Sequence, residues 1–252
     1  MIEVGQKSDK GRLRQNNEDS LITIPEQNVF GVADGVGGNN AGEVASSTAV
    51  RDLAQYLENH PISDCGDDNE LGAYLKECVA RINSDVFLLG RNDTRKKGMA
   101  TTFVMCYIRD LTAYVVNVGD SRAYIRRGSE LFQITEDHTY VNSLVKLGVI
   151  SRDEAKGHTK GNVITRAMGA EADVEADFYN TGVEEGDIIL LCTDGLYGEL
   201  DDEKINAIMD SAGSMWRYSI WISEEWFMTH RDSPHSIHRM PDLRNCISCF
   251  RR

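Results

Sequence analysis

Five acids and one arginine have the side-chain types and spacing for hydrolytic chemistry: Arg14, Glu18, Asp19, Asp34, Asp120 and Asp194. Asp34 and Asp194 each close an apolar run and are each followed by a glycine, Gly35 and Gly195. Asp120 sits in the link Gly119-Asp120-Ser121, and Glu18 and Asp19 are adjacent. Taken singly, each has an ordinary explanation. Asp-Gly is a turn signal, Gly-Asp-Ser can be a hairpin tip, and Glu18-Asp19 can be a solvated pair beside a surface arginine. Together they suggest a site. An acid at the exit of a buried strand reaches one end of a sheet with little freedom. Several carboxylates delivered to the same end repel one another unless a cation neutralises them. Oxygen-only ligands favour magnesium or manganese, and a neighbouring glycine lets a backbone carbonyl approach as well. Two such ions about 3.5–4 Å apart can share a water, lower its pKa and hold a phosphate for in-line attack. Arg14, four residues before Glu18, is the candidate phosphate clamp, since guanidinium binds phosphate oxygens in bidentate fashion.

The elements that must deliver these residues are mostly strands. Short runs at Leu21–Ile24 and Val29–Ala33 precede the first acids. Apolar residues at i+4 steps (Ala45, Ala49, Leu53, Leu57) predict a helix, and Leu71, Leu75, Val79, Ile82, Val86 and Leu89 predict a second. Strands follow at Thr101–Ile108, Ala113–Val118 and Arg122–Arg126, the last two forming a hairpin around Asp120. Leu131–Thr135, Val174–Tyr179 and Asp187–Thr193 read as further strands, Val141–Leu147 and Asp201–Met209 as helices. Ser151 and Glu154 have the spacing of a capping box. Strands in adjacent runs, without strict βαβ alternation, predict an α+β fold of antiparallel sheets with helices packed outside.

The chain has 252 residues and a net charge of −13. That length favours one large domain. Net acidity argues against a nucleic-acid surface, while a bound metal could still reverse the local sign for a phosphorylated substrate. The longest apolar runs are too short to span a membrane. The polar start lacks the apolar stretch of a signal peptide. The expectation is a cytoplasmic protein with reduced, scattered cysteines. Cys246 and Cys249 have CxxC spacing, but without a second pair a closed cysteine zinc site is not expected. Residues 211–252 differ in composition: they hold Trp216, Trp221 and Trp226 and no lysine. This tail reads either as an aromatic helix docking on the core or as a domain end replaced or read in another frame.

In order along the chain stand Arg14-Gln15-Asn16-Asn17-Glu18-Asp19, Asp34-Gly35-Val36-Gly37-Gly38 and Met99-Ala100-Thr101-Thr102. Val118-Gly119-Asp120-Ser121-Arg122, Ile134-Thr135-Glu136-Asp137-His138, Thr165-Arg166-Ala167-Met168-Gly169 and Cys192-Thr193-Asp194-Gly195-Leu196 follow. These seven motifs resemble the type 2C (PPM) metal-dependent protein serine/threonine phosphatases, the bacterial branch in particular. The resemblance runs from about residue 3 to residue 209. It implies a four-layer α-β-β-α sandwich of two antiparallel sheets flanked by helices, with a phosphatase domain at 1–210, a flap at about 138–169 and an atypical tail at 211–252. It implies two manganese or magnesium ions, with a third in many bacterial relatives. Asp34 would bridge two ions and the Gly35 carbonyl bind one. Glu18, supported by Asp19, would serve the second ion, Asp194 the first, and Asp120 with Asp194 the third. Arg14 would hold the substrate phosphate. Partners would be phosphorylated proteins and a cognate serine/threonine kinase, with no nucleic acid and no membrane, and the chain would be a monomer.

Three departures stand out. Val36 occupies the place of a histidine proposed as general acid in many eukaryotic relatives. Ala100 replaces the usual glycine before Thr101-Thr102. No Asp-Asn pair follows residue 194, so the expectation is a C-terminal part lacking one metal ligand and one sheet strand; Asp232 and Asp242 are the aspartates of the tail. The alternative function is therefore a catalytically impaired relative that binds phosphoproteins or a kinase.

Overall fold

The computed structural model describes residues 2–10, 16–37, 41–212 and 245–251. Eleven strands among these residues form two sheets, and every strand pair is antiparallel. The first sheet runs β1 (Glu3–Asp9), β11 (Asn245–Arg251), β10 (Ile188–Cys192), β7 (Arg122–Arg127), β8 (Glu130–Gln133). The second runs β2 (Asp19–Ile24), β3 (Val29–Val36), β5 (Phe103–Arg109), β6 (Thr112–Val118), β9 (Asp177–Gly182), with β4 (Ala100–Thr101) also on β3. Helices α1 (Ala41–Asn59) and α2 (Asp68–Asn92) cover the second sheet. The short α5 (Asp194–Tyr197) and α6 (Asp202–Ala212) cover the first.

Period-two side-chain alternation sorts the strand residues into three apolar layers. Along β5, Phe103, Met105 and Tyr107 pack toward α1 and α2, whereas Val104, Cys106 and Ile108 pack between the sheets. Along β10, Ile189 and Leu191 face the second sheet, whereas Ile188, Leu190 and Cys192 meet Leu196, Ile205 and Met209 of the outer helices. Ala45, Ala49, Leu53 and Leu57 of α1 and Leu71, Leu75, Val79, Ile82 and Val86 of α2 are all buried, as their spacing predicts. Each such leucine contributes roughly 2 kcal/mol of burial. The result is the four-layer α-β-β-α sandwich.

The expected loss of a final strand is overturned. β11 lies between β1 and β10, with Gly5 opposite Cys249 and Cys192 opposite Ile247. It gives β10 its second neighbour and removes an exposed edge. Cys246 and Cys249 lie three residues apart on this extended strand. Their Cα atoms are therefore about 10 Å apart, beyond disulfide reach. Asp232, Asp242 and the remaining tail lie outside the described residues.

The hairpin expected around Asp120 is overturned as well: β6 pairs with β5 and β9, β7 pairs with β10 and β8, and the Gly119–Ser121 link crosses from one sheet to the other. The remaining differences are local. β1, unpredicted, is a half-exposed polar strand. The strand expected at Val174–Tyr179 begins only at Asp177; shortly before it, residues 169–172 are held against α2 by Asn83. The capping box at Ser151 and Glu154 is present and opens α4 (Arg152–Ala155).

Candidate functional site

Asp19 is the first residue of β2 and pairs directly with Asp34 near the end of β3. Directly opposed like charges in an antiparallel pair destabilise it, so this placement needs a compensating partner. The backbone around Asp34 is fixed by hydroxyls. The Asp34 N–H donates to Thr102 Oγ1 at 2.9 Å, and the Asp34 carbonyl accepts from Thr101 Oγ1 at 2.9 Å and from the Thr102 N–H at 2.8 Å. Thr102 Oγ1 also lies 2.6 Å from Ser121 Oγ in the next turn of the site.

Beyond Asp34, the chain presses against the start of α1. A Cβ placed on Gly35 would stand 2.1 Å from the Gly42 carbonyl oxygen, and one on Gly42 would stand 2.9 Å from Glu18 Oε1. Only glycines allow this backbone approach. The Glu18 carboxylate therefore leans over the first turn of α1, where the helix dipole favours an anion. Its own carbonyl accepts from the Gly35 N–H at 3.0 Å and from the buried Ser46 hydroxyl at 2.6 Å.

Asp120 leaves the β6–β7 turn after Gly119, whose φ of +107° excludes most side chains and whose added Cβ would meet Thr102 at 2.7 Å. Asp120 is only 5% exposed. Its carbonyl accepts from Tyr197 Oη at 2.9 Å. Arg122 stacks 3.6 Å from the Tyr197 ring centroid and makes a bidentate contact with Asp137. Asp194 opens α5, and the preceding Thr193 Oγ1 donates to Asp19 Oδ2 at 3.2 Å, tying the two sheets at the site.

Glu18, Asp19, Asp34, Asp120 and Asp194 line one cavity of about 920 Å³. Burial first, then the charges of Asp19, Asp194 and Asp120, hold the Asp34 carboxyl well above the usual range. Burial, then Asp194 and Asp137, push Asp120 up to about 6. Such a group of acids either takes up protons or accepts a cation. The oxygen donors, the mutual repulsion and the Gly35–Gly42 approach fit a hard divalent ion. Among the described residues, no group of three or more acidic, histidine or cysteine side chains is drawn close enough to enclose an ion as it stands.

The opposite wall of the cavity comes from residues 139–162, which carry α3 (Tyr140–Lys146) and α4 and include Asn142, Arg152, Lys156 and His158. A bridge between Thr139 and Ile164 closes the base of this excursion. Gly35 is buried beside the cavity and not in its lining. Arg14 and Gly38 lie outside the described residues. Sequence reasoning gave no role to Asp137, Tyr197, Thr193 or Ser46. Asp137 and Thr193 stood in the motifs already singled out, but nothing in sequence spacing pairs Asp137 with Arg122 or Thr193 with Asp19.

The family model described as Protein phosphatase 2C matches residues 10–221. The serine/threonine phosphatase stp of Listeria monocytogenes is 34% identical over 209 residues, covering 81% of this chain and 82% of that protein. Serine/threonine phosphatase Stp1 from Staphylococcus aureus superposes with a TM-score of 0.80 at 27% identity, covering 100% of this chain and 94% of that one. The catalytic domain of the phosphatase PstP, solved with two manganese ions, gives a TM-score of 0.74 at 29% identity and covers 99% of this chain and 96% of that one. The chain belongs to the protein phosphatase 2C family, and by that membership it is a protein phosphatase of the serine/threonine class.

Proposed function

We propose that the chain hydrolyses phosphoserine and phosphothreonine in proteins, using water activated between two divalent ions, manganese or magnesium. The observation that carries this reading is the convergence of five acids from four separate parts of the chain on one cavity. The two manganese ions in the PstP structure support it. Asp34, the Gly35 carbonyl and Asp194 would hold one ion, Asp34 and Glu18 with Asp19 the other, and Asp120 with Asp194 a third. When bound, such ions supply positive charge and an acidified water. Thr101 and Thr102 keep the Asp34 backbone from moving as its carboxylate changes partners. Arg14 would grip the phosphate. Val36 cannot donate a proton, so the leaving alkoxide would take one from solvent in the open cavity. The impaired-relative alternative finds no support in the relatives, which are described as phosphatases.

The same proposal includes a phosphatase domain at 1–210 with a flap at about 138–169, to which β11 adds a strand from the tail. It also includes a cytoplasmic monomer opposing a cognate kinase. Among the described residues, no helix is long and apolar enough to cross a membrane, and Cys65, Cys78, Cys106 and Cys192 are free thiols.

The test is hydrolysis of a phosphothreonine peptide by the full chain, with manganese, with chelator, and in Asp34→Ala. Turnover that needs manganese and vanishes in Asp34→Ala is expected. Turnover that survives chelation would overturn the metal reading.

A further inference from the structure

Asn83 is a polar side chain on the buried face of α2, 1% exposed among apolar neighbours. Its amide is saturated by one short stretch of backbone. Nδ2 donates to the carbonyls of Glu171 at 3.2 Å and Ala172 at 2.9 Å, and Oδ1 accepts from the Gly169 N–H at 2.7 Å. Gly169 has a φ of +83°, and a Cβ there would overlap Val86 Cγ1 at 2.3 Å, so the stretch lies flat on α2.

This stretch reaches two parts of the acid cluster. Met168 and Thr101 exchange two backbone hydrogen bonds, at 2.9 and 2.8 Å, and Thr101 Oγ1 holds the Asp34 carbonyl. In the other direction, the Thr165 N–H donates to the His138 carbonyl at 2.8 Å. His138 in turn receives the Gly119 N–H on Nδ1 at 3.0 Å and donates its own N–H to the Gly119 carbonyl at 2.9 Å. Gly119 immediately precedes Asp120. Residues 165–172 thus form a brace between the Asp34 strand and the Asp120 turn.

We propose that Asn83 is a positioning residue: by fastening this brace to α2 it sets the placement of Asp34 relative to Asp120. An alanine at this position would leave the buried Gly169 N–H unpaired and take the side-chain donor from the Glu171 and Ala172 carbonyls, which releases the brace from α2. The placement claim stands on the fold alone, whereas its catalytic consequence rests on the function proposed above.

The experiment compares the full chain with Asn83→Ala, with the milder Asn83→Ser in case alanine prevents folding, and with Val79→Ala. Val79 lies one turn earlier on α2 and is 3% exposed, so its truncation controls for general core damage. Amide hydrogen exchange is read first, in metal-free protein. The expected result is exchange about tenfold faster or more at residues 99–104, 119–121 and 165–172 in the Asn83 variants, and unchanged there in Val79→Ala. Manganese affinity by calorimetry and kcat should then fall about tenfold in the Asn83 variants, with KM within about twofold. Faster exchange confined to 165–172, or the same pattern in Val79→Ala, would overturn the proposal. An unmodified chain that neither binds manganese nor hydrolyses the peptide would overturn the proposed function instead, leaving the exchange result to decide the role of Asn83.

Discussion

Asp19 and Asp34 face each other across the β2–β3 ladder, one residue from the close approach of Gly35 to Gly42. The backbone at both positions is held, Asp34 by threonine hydroxyls and Asp19 by pairing in β2. The opposition of the two carboxylates is therefore electrostatic: the Thr193 hydroxyl donates to Asp19, and a proton or a cation neutralises the pair.

Asp19→Asn should accordingly stabilise the metal-free protein while weakening its response to metal. A gain of about 0.5–1 kcal/mol at pH 8 is expected from removing one of two opposed charges. Chemical unfolding with and without manganese reads both effects. A variant less stable than the parent in chelator would refute the repulsion.

Gly35→Ala should be far more damaging than its size suggests. The added methyl would overlap the Gly42 carbonyl at 2.1 Å, where both partners are backbone. A loss of about 3 kcal/mol or more is expected, measurable as a lower denaturant midpoint. A change below about 0.5 kcal/mol would mean that β3 and α1 can separate at this point.

His138 gives the fold an acid-side weakness. Burial is the largest cause holding its pKa below the usual histidine value, opposed by Asp177 and aided by Arg166. The neutral ring accepts the Gly119 N–H on Nδ1, so protonation there breaks that bond. A folded-state pKa below the unfolded value of about 6.5 means that the unfolded chain binds the proton first. The contribution is thus fully present above about pH 6.5 and is lost as pH falls through the folded pKa. The difference in Tm between parent and His138→Gln should narrow between pH 7.5 and 5. A constant difference would show that His138 does not titrate in the fold.

Arg244→Asp should strengthen metal binding. β11 begins at Asn245, and its register with β10 puts that beginning at the end from which Asp194 departs. The resemblance to the family implies an Asp-Asn pair ahead of the final strand, and in this chain the sequence there reads Arg244-Asn245. Restoring the acid should raise manganese affinity about tenfold, read by calorimetry. Unchanged affinity would mean that the start of β11 contributes nothing to the ions.

The sandwich was legible where side-chain period and burial coincide. Phe103 to Ile108 alternate without a break, and Leu71 to Val86 keep a helical stripe, so both elements could be read residue by residue. Asp34, Asp120 and Asp194 were legible because an acid after an apolar run is conspicuous. β11 was not, because Asn245 to Arg251 show no clean apolar alternation; its place is set by the two strands it joins. Asn83 was equally silent. A single asparagine in an amphipathic helix carries no sign of the backbone it grips 86 residues later. Partners brought together only by topology leave no local trace.

The excursion closed by the Thr139–Ile164 bridge contributes no residue to any of the three apolar layers. Its sequence is therefore released from the constraints that hold the sandwich together. Length and composition can drift there at little cost to folding, while the acids on the facing wall stay in place. One wall of the cavity can therefore change while the other keeps its acids, so the shape of the cleft and the charge inside it are set by separate parts of the chain.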